Sequence, residues 1–307
     1  MKHFINIKDI SVKDLRKILK DAKKRKNKRK KLTTLQPDKD TPLKGKLLIQ
    51  MFEKTSLRTR LSFYLAIKQL GGGTITLRSN ELHLGQGGES LEDTAKILST
   101  YGDGFMLRTN SDQKIDNFKK YLSIPIINGL SPLSHPTQVL SDVFTVEEIK
   151  KKPISKLNIA WIGDSNNVLN SLISASDKFS FKLKIGCPKN FKPKKFILKD
   201  IKNKKINIFY NAKEAAVDAD VIFSDKVISL NDKVNKKNKI KEFKNFKIDR
   251  KLMSYAKKSC TFLHCLPRGE EVEEKVFKSR NSKVWLQALN RVHVQKSILL
   301  YCFGKLR

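Results

Sequence analysis

Short apolar runs of strand length alternate with longer amphipathic stretches along almost the whole chain, and this alternation limits the fold more than any other feature. The runs lie at 46–51, 74–77, 104–107, 124–127, 157–162, 182–185, 206–210, 220–223 and 260–263. Stretches with helical periodicity fall between them at 56–70, 91–101, 136–150 and 166–179, with another at 284–303. Unbroken apolar runs suit strands buried on both faces, and a helix between successive runs suits the crossover that parallel strands require. The expected fold class is therefore α/β, with parallel sheets covered by helices. Ser11 followed by Asp14 opens a further helix over 11–31.

The chain has 307 residues, 39% of them hydrophobic, enough for two domains of ordinary size. The polar stretch 151–156 separates two strand–helix sets, so we expect domains at 1–150 and 151–307, bridged by helices. In that scheme the 284–303 helix packs back on the first domain. The lysine-rich 233–241 segment is expected to be a mobile loop. No apolar stretch approaches the roughly 18 residues of a membrane span, and residues 1–10 lack the apolar centre of a secretory signal. The expectation is a cytoplasmic protein with no membrane partner. Cys187, Cys260, Cys265 and Cys302 show no Cys-x-x-Cys spacing, so neither a disulfide framework nor a metal site is expected.

A formal net charge of +34 raises the question of nucleic acid. The excess is lysine spread along the chain, without interleaved aromatics or a nucleic-acid motif. Solvated faces are the simpler reading, and nucleic acid is not the expected partner.

Polar clusters at strand ends carry the candidate chemistry. Ser56-Leu57-Arg58-Thr59-Arg60 follows an apolar run and opens a helix pattern. Exposed N–H groups, the helix dipole, hydroxyls and guanidiniums would together make an anion site there. An ordinary capped helix with solvated arginines remains open on this segment alone. Arg108 leaves a strand as either a surface charge or a ligand clamp. In Ser134-His135-Pro136-Thr137-Gln138, Pro136 fits a first helical turn, leaving His135 at the cap and Gln138 one turn on.

Gly163-Asp164-Ser165-Asn166-Asn167 sits where a dinucleotide loop would, but its single glycine makes that reading weak. Asn166 and Asn167 could instead bind the amino and carboxylate groups of an amino acid. In His264-Cys265-Leu266-Pro267, a catalytic thiol, a cis peptide before Pro267 and a plain strand end all remain open.

Taken in order, these four clusters resemble the aspartate/ornithine carbamoyltransferase family. The likeness extends to His83-Leu84-Gly85, Glu89-Ser90, Asp93-Thr94 and the tail from Gln287 to Lys296. It implies two Rossmann-like, three-layer domains and transfer of the carbamoyl group of carbamoyl phosphate to an amine, with L-ornithine the acceptor in one branch. It implies that Ser56, Leu57 through its backbone, Arg58 and Thr59 hold phosphate, and that Arg108 bridges phosphate and carbonyl oxygen. His135 and Arg291 would donate to that oxygen, and Gln138 would orient the carbamoyl NH2.

By the same resemblance, His83 reaches into a neighbouring subunit's site, implying a homotrimer or a multiple of trimers. Cys265 and Leu266 would line the carbamoyl phosphate site, with Cys265 and Asp225 near the attacking amine. Asn167, Asp225, Ser229 and the backbone of Leu230 would hold the amino-acid end of ornithine. No metal or organic cofactor is implied. Aspartate enzymes carry proline where Cys265 stands, which favours ornithine.

This chain departs from the family pattern at three places. Leu57 replaces the usual Thr, Ser229-Leu230-Asn231 replaces Ser-Met-Gly, and the segment after Pro267 is short. The rivals are transfer to another amine, such as putrescine or an N-acylornithine, and a non-catalytic nucleic-acid-binding relative.

Overall fold

The computed structural model describes residues 1–78, 88–228 and 236–306. Its chain divides into two compact units, Met1–Ser141 with Leu289–Arg307, and Asp142–Ala288. The expected His83, Ser229 and Leu230 lie outside the described residues.

The elements of the first unit begin with α1 (Val12–Lys28), β1 (Leu47–Phe52), α2 (Leu57–Gln69), β2 (Gly73–Arg78) and α3 (Leu91–Tyr101). They continue with β3 (Gly104–Arg108), α4 (Asp112–Tyr121), β4 (Ile126–Leu130) and the first residues of α5 (Pro136–Lys150). The strands form one parallel sheet in the order β2-β1-β3-β4. Central β1 is buried almost throughout, whereas β2, at the edge, is only partly buried. Buried Ile49, Met51, Phe105, Leu107 and Phe118 share a core, with the Phe105 and Phe118 rings 5.2 Å apart.

Helix starts follow local chemistry. Ser11 accepts the Asp14 N–H at 3.0 Å, and Ser90 accepts that of Asp93 at 3.0 Å, so each caps its helix as the sequence pattern demands.

The second unit contains β5 (Asn158–Ile162), α6 (Asn167–Phe179), β6 (Lys182–Gly186), α7 (Lys195–Leu198), β7 (Ile206–Phe209), α8 (Ala212–Ala216) and β8 (Val221–Ser224). It continues through α9 (Lys236–Phe243), α10 (Arg250–Ser254), β9 (Thr261–His264), α11 (Glu274–Phe277) and the start of α12 (Val284–Cys302). Its parallel sheet runs β7-β6-β5-β8-β9. The α/β architecture with parallel sheets is thus the one expected from the alternating pattern. No helix among the described residues is long and apolar enough to cross a membrane.

The expectation for the lysine-rich segment is corrected. The 233–241 segment, read as a loop, is helical from Lys236 onward. The lysine content hid an apolar anchor: Phe243 is buried in the core of the second unit, its ring 4.9 Å from that of Phe191. Lys239 is buried in an ion pair with Asp164 at 2.6 Å and is no solvated lysine.

In the first unit, Asp38 gathers three cations. Arg25 lies at 3.0 Å, Arg29 at 2.8 Å and the fully buried Lys296 at 2.7 Å, which joins α1 and α12 through one carboxylate. Burial pushes the Asp38 carboxyl up, but hydrogen bonds from Lys296, Arg29 and Arg25 outweigh it and hold the group below the usual carboxylate range. A carboxyl depressed by folding stabilises the native state above its unfolded pKa, and that contribution is lost as pH falls through the folded value. Asp38→Asn should therefore lower unfolding stability at pH 7 by about 3 kcal/mol. In urea titrations this deficit should shrink as pH falls through the depressed folded-state value, where the wild-type carboxyl is also protonated; an undiminished deficit at low pH would refute the charge assignment.

Candidate active site

Parallel strands send all their carboxyl ends to one edge of the sheet, and the order β2-β1-β3-β4 makes successive connections diverge between β1 and β3. At that edge Phe52 stands in register with Arg108. Ser56 to Thr59 follow β1, Arg108 ends β3, and His135 follows β4 at the start of α5. Glu53 steadies this rim, accepting from Thr109 and from the Asn110 N–H, with Lys114 as its ion-pair partner.

Ser56 takes the N-cap position of α2 in an extended conformation, yet its hydroxyl makes no capping hydrogen bond. The side chain of Leu57 is exposed, which leaves its backbone in the first turn as the group that can face an anion. Arg60 is exposed and lies outside the cluster described next.

Thr59 is buried, and its hydroxyl accepts from Arg108 Nη1 at 3.3 Å and from Arg291 Nη2 at 2.9 Å. One hydroxyl thereby aligns two guanidiniums that are distant in sequence. Burial lowers the Arg108 guanidinium to about 10, and the nearby Arg58 cation acts in the same direction; it remains charged at neutral pH. Its Nε is buried with no hydrogen-bond partner among the described residues. His135 is held neutral, first by burial and then by the charges of Arg291, Arg108 and Arg58. Gln138, also buried, follows one turn along α5.

Three guanidiniums, those of Arg291, Arg108 and Arg58, act on His135 and make this cluster suited to an anion.

The second unit repeats this logic on other strands. In β7-β6-β5-β8-β9 the connections diverge between β5 and β8, and Ser224 at the end of β8 stands in register with His264 at the end of β9. Asp225 and Cys265 therefore leave neighbouring strands at the same level. The turn after β5 begins at Gly163, whose φ of 148° suits a residue without a side chain.

Asn166 caps α6, accepting from Val168 N–H at 3.0 Å and Leu169 N–H at 3.1 Å, while its amide donates to Asp225 at 2.8 Å. Asn167 opens the helix beside it. Asp225 is partly exposed as a residue, but burial pushes its carboxyl up, against the favourable effects of His264, the Lys226 N–H and Asn166.

The segment after β9 contains a cis Leu266–Pro267 peptide. The Leu266 N–H donates to His264 Nδ1 at 2.9 Å, so the ring proton lies on Nε2, 3.1 Å from Glu271. Glu271 also accepts from the Gly269 N–H at 2.6 Å, fixing the short turn that follows Cys265 and Leu266. Cys265 is partly exposed, whereas Cys187, Cys260 and Cys302 are buried. Burial raises Cys187 and Cys260 to about 12.

The structure thus collects Arg58, Thr59, Arg108, His135 and Arg291 in one unit, with Asp225, Cys265 and Leu266 on adjacent strand ends in the other. Sequence reasoning did not single out Asn166 as the partner of Asp225, or Glu271 as the partner of His264. The cap position before α6 could have revealed the first. For Glu271 no local signal exists, because burial alone distinguishes it from Glu270.

Two family models match the chain. One describes the carbamoyl-P binding domain of aspartate/ornithine carbamoyltransferase and covers residues 2–148; the other describes the Asp/Orn binding domain and covers residues 155–302. The chain belongs to the aspartate/ornithine carbamoyltransferase family.

Among similar members of this family, the ornithine carbamoyltransferase of Rhizorhabdus wittichii is 38% identical, covering 99% of this chain and 98% of the relative. A Campylobacter jejuni protein named ornithine carbamoyltransferase, anabolic, is 40% identical, with 99% and 97% covered. The crystal structure of the anabolic ornithine carbamoyltransferase from Campylobacter jejuni has a TM-score of 0.89 at 37% identity, covering 100% of each chain. The Pyrococcus furiosus ornithine carbamoyltransferase structure has a TM-score of 0.92 at 35% identity, with 99% and 97% covered.

Imidazole NMR tests the electrostatics directly. His135 should stay neutral from pH 8 down to pH 6, and Arg108→Gln should shift its transition upward, because removing a cation favours the imidazolium. A wild-type transition near the ordinary histidine value would overturn this account of the cluster.

Proposed function

We propose that the chain is an ornithine carbamoyltransferase, converting carbamoyl phosphate and L-ornithine to L-citrulline and phosphate in arginine biosynthesis. The observation that carries this reading is the arginine field around His135 and Thr59, set on a scaffold of this family. It suits a substrate that has a phosphate and a carbonyl side by side.

Carbamoyl phosphate would be held by Ser56, the Leu57 backbone, Arg58, Thr59 and Arg108, with Gln138 orienting its NH2. The ornithine amine, deprotonated, attacks the carbonyl carbon; negative charge builds on the carbonyl oxygen, the C–O bond to phosphate breaks, and phosphate leaves carrying that electron pair. Arg108, Arg291, Thr59 and neutral His135 would donate to the oxyanion, which needs them more than the ground-state carbonyl does. A neutral imidazole retains an N–H for this purpose. After attack the new nitrogen sheds a proton, which the departing phosphate can accept. Cys265 and Asp225 stand near that end of the reaction, and Asn167, Asp225, Ser229 and the Leu230 backbone hold the amino-acid end of ornithine.

Asp225 belongs among these residues because Asn166 already orients its carboxylate. Its raised pKa falls again when an α-ammonium arrives, since an opposite charge favours the ionised form. The proposed assembly is a cytoplasmic homotrimer or a multiple of trimers, with His83 contributed by a neighbouring subunit. The reaction as written needs no metal or organic cofactor.

Phosphate release by the purified chain, with ornithine, putrescine, N-acetylornithine and aspartate offered separately, tests the reading. Ornithine should support release with citrulline formed; preference for another amine moves the assignment within the family, and no release with any of them rejects it. Thr59→Val should cut kcat by on the order of a hundredfold. Asp225→Asn should raise the KM for ornithine far more than that for carbamoyl phosphate, and equal changes in both would remove Asp225 from acceptor binding.

A further inference from the structure

The first unit has a cavity of about 1010 Å³ whose lining includes none of the residues assigned above to the reaction. One wall is a face of α1, where Lys17, Lys20, Lys24 and Lys28 recur at helical spacing; Lys39 and Lys305 also line it. Like charges three and four residues apart repel on a helix, so this stripe opposes the element that carries it.

The carboxylates of the cavity do not relieve that repulsion, because they are already engaged by Arg25. Arg25 takes Asp21 at 3.1 Å, Asp38 at 3.0 Å and Asp40 at 2.9 Å, and Asp38 also holds Arg29 and Lys296. The six lysines are exposed, and none has an ion pair among the described residues. A concave space of ligand size thus carries positive charge that its own acids do not balance.

We propose that this cavity binds an oligophosphate anion, either a free phosphate chain or the phosphate chain of a nucleoside triphosphate. Six lysines lining one cavity suit an anion that carries several phosphates in a row, with each ammonium offering three donors to any phosphate oxygen within reach.

The full-length chain, titrated calorimetrically at physiological salt with tripolyphosphate and separately with ATP, provides the test. Four proteins are compared: wild type, Lys17→Gln/Lys20→Gln/Lys24→Gln/Lys28→Gln, a charge-matched control Lys192→Gln/Lys194→Gln/Lys195→Gln/Lys199→Gln, and Arg58→Gln. The α1 variant should bind at least about tenfold more weakly, the loss expected from a single charge-assisted contact. The control and Arg58→Gln should match wild type.

Equal weakening in both quadruple variants would reduce the effect to net charge, and loss in Arg58→Gln would place the anion in the carbamoyl phosphate cluster; either overturns the proposal. So does wild-type protein that binds neither anion, or only single-stranded RNA. Tripolyphosphate binding as tightly as ATP assigns recognition to the phosphate chain, and tighter ATP extends it to the nucleoside; both uphold the cavity. The unliganded α1 variant should melt no lower than wild type, since repulsion has been removed. If it does melt early, Lys39→Gln/Lys305→Gln takes its place in the same comparison, with the same tenfold criterion.

Discussion

Parallel pairing is the constraint on which the rest depends. Two parallel strands cannot be joined by a tight turn, so each connection must cross the sheet, and every carboxyl end then faces the same edge. Both sheets reverse their direction of winding once, between β1 and β3 and between β5 and β8. The loops diverge there, leaving a crevice. Residues as distant in sequence as Ser56, Arg108 and His135 follow the ends of neighbouring strands for this reason, as do Asn166, Asp225 and Cys265.

Charge is handled differently in different parts of the molecule. Around Asp38, the cations Arg25, Arg29 and Lys296 are matched by Asp38, Asp21 and Asp40, and the group is internally balanced. Around His135, arginines converge and the imidazole responds by staying neutral. The first arrangement holds α1 and α12 to the segment between α1 and β1 and has no need of a ligand. The second arrangement suits the binding of an anion. The protein's stability and its chemistry thus draw on the same ingredients, arginine, a neighbouring polar group and burial, with opposite bookkeeping. Lys239 shows the first arrangement again: a buried cation is matched by Asp164 at the turn that leads to Asn166.

Much of the fold was legible because strand-length apolar runs are a dense signal. Every run noted in the sequence became a strand within a few residues, and Leu91–Tyr101 and Pro136–Lys150 formed helices at the expected ends. The reading failed for Lys236–Phe243, where lysine content outweighed the single apolar anchor Phe243. Solvation is inferred from residue type, but burial is decided by what lies opposite.

Motif order also made the family legible, as the matches over residues 2–148 and 155–302 bear out. What the motifs contain is residue types at set distances along the chain. They therefore named Thr59, Arg108 and Arg291 without indicating that one hydroxyl aligns both guanidiniums, and named Asn166 and Asn167 without saying which reaches Asp225.

The sequence by itself determined the alternation of strands and helices, the parallel pairing that follows, and which polar residues stand at strand ends. Periodicity and turn chemistry are local, and a local pattern is fully written in the chain. Only the tertiary structure decided the neutral state of His135, the tautomer of His264 through Leu266 and Glu271, and the fate of each charge in the lysine excess. Those depend on desolvation and on distances between groups far apart in sequence, and neither exists until the chain has packed.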